Sequence, residues 1–136
     1  MRRITVVAGV ALFLAACSPA ADTKAAEGGV VSFHNALNNG QFDQIYNATG
    51  PEFKAASTRV DFVKILTAVH RKLGNFRSGK TDTWNDNATT SGTYVTLERE
   101  AQFDRGPAQE QFVFKMDGPN AVLVGYHINS NTLITS

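Results

Sequence analysis

The spacing of apolar residues changes character along the chain. Ile4 to Ala16 is an unbroken apolar or small run without charge, shorter than the ~20 residues needed to cross a bilayer. Ser18 to Gly29 is small and polar, bracketed by Pro19 and Gly28-Gly29, and predicts a flexible tether averaging roughly 20 Å end to end. From Val30 the period is helical. Val30, Phe33 and Leu37 share one face, with Gly40 as the C-terminal stop. Phe42, Ile45 and Tyr46 predict a short second helix, and Gly50-Pro51 starts a brief third turn around Phe53. Thr58 and Asp61 resemble a capping box ahead of a stripe of Phe62, Ile65, Leu66, Val69 and Leu73, which Gly74 ends.

Beyond Gly74 the period is two. Phe76 to about Trp84 alternates weakly. In the next segment Val95, Leu97, Ala101 and Phe103 face one way, and Glu98, Glu100 and Gln102 the other. Phe112, Phe114 and Met116 share a face in the third strand. Val122, Val124, Tyr126 and Ile128 share one in the fourth. Asp117-Gly118 signals a hairpin, with Pro119 favouring a loop longer than two residues. Helices followed by a strand meander predict α+β: N-terminal helices packed on a curved four-stranded antiparallel sheet whose one apolar face they cover.

The first residues are not fold material. Met1-Arg2-Arg3 is a basic start, Ile4 to Ala16 a signal-peptide core, and Leu14-Ala15-Ala16-Cys17 resembles the bacterial lipobox. That resemblance implies cleavage before Cys17 and its acylation, palmitate included. The expected organisation is therefore a signal peptide over 1–16, a lipidated cysteine and tether over 17–29, and one domain over 30–136. Several acyl chains hold a protein firmly, at ~0.8 kcal/mol per buried methylene. Ser18 in place of an inner-membrane retention aspartate points to the outer membrane, facing the periplasm.

Cys17 is the single cysteine. Once acylated it leaves no thiol for disulfides, nucleophilic catalysis or metal binding. Two of the 13 basic residues, Arg2 and Arg3, fall in the leader, against 12 acidic ones. The mature charge is thus near zero, and nucleic-acid binding is set aside.

Phe33 to Gly40, Ile45-Tyr46 leading to Phe53, His70 to Gly74 and Leu123 to Ser130 resemble a family of small bacterial lipoproteins carrying a domain of unknown function. The resemblance implies the nuclear transport factor 2-like (cystatin-like) cone, and no catalytic residues to carry over. A pocket between helices and sheet is the expected site. Arg99 shares the inner face of its strand with Val95 and Leu97, where a charge is costly unless paired. It presents a guanidinium to an anionic ligand, pairs with a helix carboxylate, or is turned outward by a β-bulge. Tyr46 and Tyr126 could turn hydroxyls into the pocket, and Trp84 could cover its mouth.

No carboxylate or histidine is expected on the inner strand face, leaving Asp43 as a helix-borne base for an isomerase or dehydratase. His34, His70 and His127 show no metal-binding spacing, so no catalytic residue, metal or cofactor is assigned. The leading expectation is a non-catalytic envelope module, monomeric or weakly dimeric. It would bind a small apolar or anionic molecule, or an envelope protein.

Overall fold

A computed structural model describes residues 18–135; the leader and Cys17 lie outside this range. The element order is α1 (Pro19–Asn38), α2 (Phe42–Asn47), α3 (Pro51–Ala56), α4 (Arg59–Leu73), β1 (Phe76–Thr89), β2 (Gly92–Phe103), β3 (Gly106–Asp117), β4 (Asn120–Asn129) and α5 (Asn131–Thr135). The strands form one antiparallel meander in the order β1-β2-β3-β4. The protein is α+β, with helices ahead of the sheet. The short α5 has no sequence signal behind it.

The segment expected as a flexible tether is helical. Ser18 caps α1, its hydroxyl accepting from the Ala21 amide at 3.2 Å. Pro19 suits the first helical position, and Asp22 lies in the first turn, where its charge favours the helix dipole. The small residues that suggest a linker instead allow close packing. Ala26 is buried, and a Cβ on Gly29 would come within 2.6 Å of the Phe114 ring. Gly29 is therefore a close-approach glycine within a helix.

α1 runs antiparallel to β1 along its length. Asp22 lies beside Asp86, Glu27 accepts from Thr81, and the Asn38 amide brackets the Phe76 backbone at 2.8 and 3.1 Å. It touches all four strands, whereas α2 and α4 pack on each other and on α1. Covering the sheet thus falls chiefly to α1. The extra turns before Val30 give it the length to do so.

α4 begins as its cap predicts, Thr58 accepting from the Asp61 amide at 3.2 Å, and ends at Gly74 with φ +77°. Phe62, Leu66, Val69 and Leu73 are buried, but Ile65, at the edge of the stripe, is 48% exposed. β4 carries an irregularity: Val113 pairs with Gly125 and Phe114 with Leu123. The extra residue, Val124, shifts the alternation. Leu123 joins Tyr126 in the core, while Val122 and Val124 lie against Gly50 instead. Gly50 also donates its amide to the Leu123 carbonyl on the outer edge of β4 at 2.9 Å. The β3–β4 loop is shorter than Pro119 suggests. Asp117 pairs directly with Asn120, Gly118 takes φ +57°, and the fixed φ of Pro119 falls at the second loop position.

Candidate functional site

The expectation that the inner sheet face lacks an acid does not hold, and α1 sets a histidine against that acid. Glu110 on β3 shares that face with Ala108, Phe112 and Phe114 and is 1% exposed. His34, in the C-terminal part of α1, places Nε2 at 2.8 and 3.1 Å from its two carboxylate oxygens. Tyr126 of β4 donates its hydroxyl to Oε2 at 2.8 Å. Burial, then the Glu110 charge and its hydrogen bond, push the Tyr126 phenol well above its ordinary range. Aromatic rings enclose the trio. His34 stacks on Phe76 at 3.6 Å and meets Phe103 and Phe112 edge-on, while Phe33 and Phe112 cover Tyr126.

An acid, an imidazole and a hydroxyl in one network are the parts of an acid–base site, but such a site must reach a substrate proton. Here Glu110 is occupied by its two neighbours, and both are buried. The trio satisfies polar groups within the core.

Arg99 lies on the inner face, 8% exposed, and its charge is paired. Nη1 donates to Glu27 Oε2 at 2.5 Å and to Thr81 Oγ1 at 2.6 Å, and Thr81 in turn donates to Glu27. The guanidinium Nε is buried without a partner. The carboxylate comes from the helix that begins before Val30. Of the readings of Arg99, this geometry is the helix ion pair, with the side chain kept inward.

Tyr46 is buried elsewhere, between α2 and α3. Its hydroxyl donates to the Ser57 carbonyl at 3.1 Å, and Arg59 lies 4.8 Å over its ring. Trp84 is 56% exposed on β1, opposite Leu97. Asp43 faces solvent, in an exposed pair with Arg59 at 3.1 Å. His70 contacts Asn75 Oδ1 at 2.9 Å, and His127 is exposed on β4. Tyr126 is thus the one candidate in the polar trio, and Arg99, Tyr46 and Trp84 each stand apart. Among the described residues no group of three or more His, Cys, Asp or Glu side chains is placed to hold a metal.

Beside the trio lies an opening that spacing alone does not reveal. A cleft of about 320 Å³ runs between α1, α2 and the β3–β4 end of the sheet, lined mainly by Phe33, Ala36, Ile45, Phe114, Ala121 and Leu123. Ser32 and Gln44 add polar groups at its wall. Its volume is at the lower end of ligand pockets, about 300–1,000 Å³. Phe33 separates it from the trio, lining the cleft while packing on Tyr126 at 4.6 Å. The geometry admits an apolar group and offers no ionised side chain to it.

The class defined by these features is a small α+β domain, one long helix laid over a four-stranded meander, with a sealed polar trio beside an apolar cleft. The chain belongs to the family described as "Protein of unknown function (DUF4019)", whose model matches residues 31–126. That span holds His34, Arg99, Glu110 and Tyr126, while Glu27, the partner of Arg99, precedes it. No curated protein matches the chain. Among the described residues no helix is long and apolar enough to cross a membrane.

Proposed function

We propose that the protein is a lipid-anchored module of the bacterial envelope that holds a small apolar group in the α1–α2–β3–β4 cleft without transforming it. The cleft is the observation that carries this reading: an apolar opening remains beside a core packed closely enough to exclude its acid–base groups. Anchoring through lipid on Cys17 follows from the basic start, apolar run and lipobox-like tetrad, and Ser18 assigns the outer membrane, facing the periplasm. The helix-over-meander order is compatible with a nuclear transport factor 2-like cone. Pairing of Arg99 with Glu27 favours an apolar over an anionic ligand. That ligand is a free molecule or an apolar side chain of an envelope protein, and the domain acts as a monomer or weak pair.

A soluble form carrying Cys17→Ser tests the cleft. Titration with the neutral dye Nile red should give saturable one-to-one binding. Ala36→Phe and Ala48→Phe, which fill the opening, should abolish it while far-UV circular dichroism stays unchanged. Failure of the wild type to bind, or undiminished binding by both variants, would refute the reading. An isomerase- or dehydratase-like enzyme is the second reading, favoured by the Tyr126 hydroxyl lying 2.8 Å from Glu110. It requires the aromatic enclosure to open, and predicts a turnover lost on Glu110→Gln in folded protein.

A further inference from the structure

α1 begins at Pro19 with Ser18 as its cap, so no spacer separates the folded domain from Cys17. One residue reaches at most ~3.6 Å. Acyl chains on Cys17 would enter the bilayer within a few ångströms of the first turn of α1, not at the end of a ~20 Å tether. α1 in turn is tied to the sheet through Glu27, bonded to Thr81 and Arg99, and its first turn sets Asp22 beside Asp86. The domain must therefore follow its anchor as one body.

Beside this part of α1 lies β1, an edge strand of 14 residues, most of them exposed. Trp84, 56% exposed, lies on it between Thr81 and Asp86 and on the side of the sheet that α1 covers. Asp22 and Glu27 stand about 6 and 14 Å along the helix from Ser18, at ~1.5 Å per residue. The polar interface of a bilayer is roughly 5–8 Å deep on each side. A domain leaning toward β1 brings the indole into that layer, the depth that tryptophan favours. Val31, one turn beyond Glu27 and 59% exposed, extends the same flank.

We propose that the flank formed by the first turns of α1 and the open edge of β1 lies on the lipid surface, with Trp84 at headgroup depth. This rests on the lipidation of Cys17. Charge on the flank is mixed: Lys80 lies 4.0 Å from Asp82 and 3.6 Å from Glu100. The contact therefore depends on the anchor and the indole rather than on anionic headgroups, and persists at high salt.

Trp84 is the single tryptophan of the chain, so its fluorescence reports this contact alone. The full-length protein, purified from membranes, is reconstituted into phosphatidylcholine vesicles with or without lipids brominated just below the headgroup. Intact mass and flotation first establish the acyl chains. Docking predicts a blue-shifted emission relative to the Cys17→Ser form, and a roughly two-fold loss of intensity with shallow bromines, the depth of the interfacial layer. Acylated protein that floats but keeps the unanchored emission, unquenched, would overturn the proposal while leaving the anchor intact. Protein without acyl chains would overturn the anchor reading and the orientation with it. Inserting about ten Gly/Ser residues between Cys17 and Ser18 restores a flexible tether and should remove most of the quenching. Undiminished quenching there would refute the short link as the orienting element.

Discussion

Replacing Glu110 by leucine is the sharpest probe of the inner polar trio. The carboxylate is 1% exposed and engages both His34 and the Tyr126 hydroxyl. Leucine leaves two buried polar groups without partners, each costing about 1–3 kcal/mol. The sum, ~4 kcal/mol, agrees with the ~3–5 kcal/mol lost when one member of a buried pair is removed. Against a domain stability of about 5–15 kcal/mol this is severe, and the melting temperature should fall by on the order of 15 °C.

The decisive comparison is the triple variant His34→Phe, Glu110→Leu, Tyr126→Phe. It removes every polar member together and should recover all but ~1–2 kcal/mol of the loss, because an apolar replacement of a buried network is often near neutral. Urea unfolding of the Cys17→Ser form, followed by far-UV circular dichroism, gives both numbers, provided the slope with denaturant is unchanged. A single variant within ~0.5 kcal/mol of wild type would refute the network. A triple variant as unstable as the single one would show the loss to be packing rather than orphaned polar groups.

Tyr126 should not ionise in the folded protein over the ordinary tyrosine range near pH ~10. Its folded pKa is raised, so its contribution to stability is present below the unfolded value and is lost as pH rises above it. Ultraviolet titration should show Tyr126 ionising only together with unfolding. Arg99→Met leaves Glu27 and Thr81 without the guanidinium; because Glu27 is partly exposed, we expect a loss of about 1–3 kcal/mol, measured by the same urea unfolding, and no loss would refute the pair. Burial, then the neighbouring Asp22, raise the Asp86 carboxyl. A raised carboxyl pKa favours the folded state at low pH and is a burden above it. Asp86→Asn should accordingly raise the melting temperature at pH 7, with a gain that shrinks as pH falls through the acid range; a gain independent of pH would rule out the carboxyl pair.

Elements with two independent signals are legible from spacing alone. α4 has a cap, a stripe and a glycine stop, and its boundaries follow from them. β2 alternates cleanly, and the same rule that singles out Arg99 describes its burial. Glu110 obeys that rule as well, since it has the parity of Phe112 and Phe114. A charge ahead of the first large apolar member of the stripe is easily taken for surface, and only its two partners, from α1 and β4, make burial tolerable. The helical stripe also extends backward through Ala26 and Asp22, but there composition argues for a linker while spacing argues for a helix. Packing decides, because Gly29 and Ala26 fit where larger residues would not. The Val124 irregularity has no local signature; it arises from how β4 pairs with β3. The cleft likewise depends on the distance between α1, α2 and the sheet, which a single sequence does not contain.

Why the cleft persists is itself a question of energetics. An apolar opening of about 320 Å³ invites α1 to settle closer to the sheet, since filling it would bury more apolar surface. Two polar connections oppose such a slide: Glu27 with Thr81 and Arg99, and His34 with Glu110. They lie two turns apart on α1, and moving the helix by even one residue would separate both and strand Arg99 and Glu110 in the core. Burial of ionisable groups adds little to stability but can set register. Here the register that they set is the one that holds the cleft open.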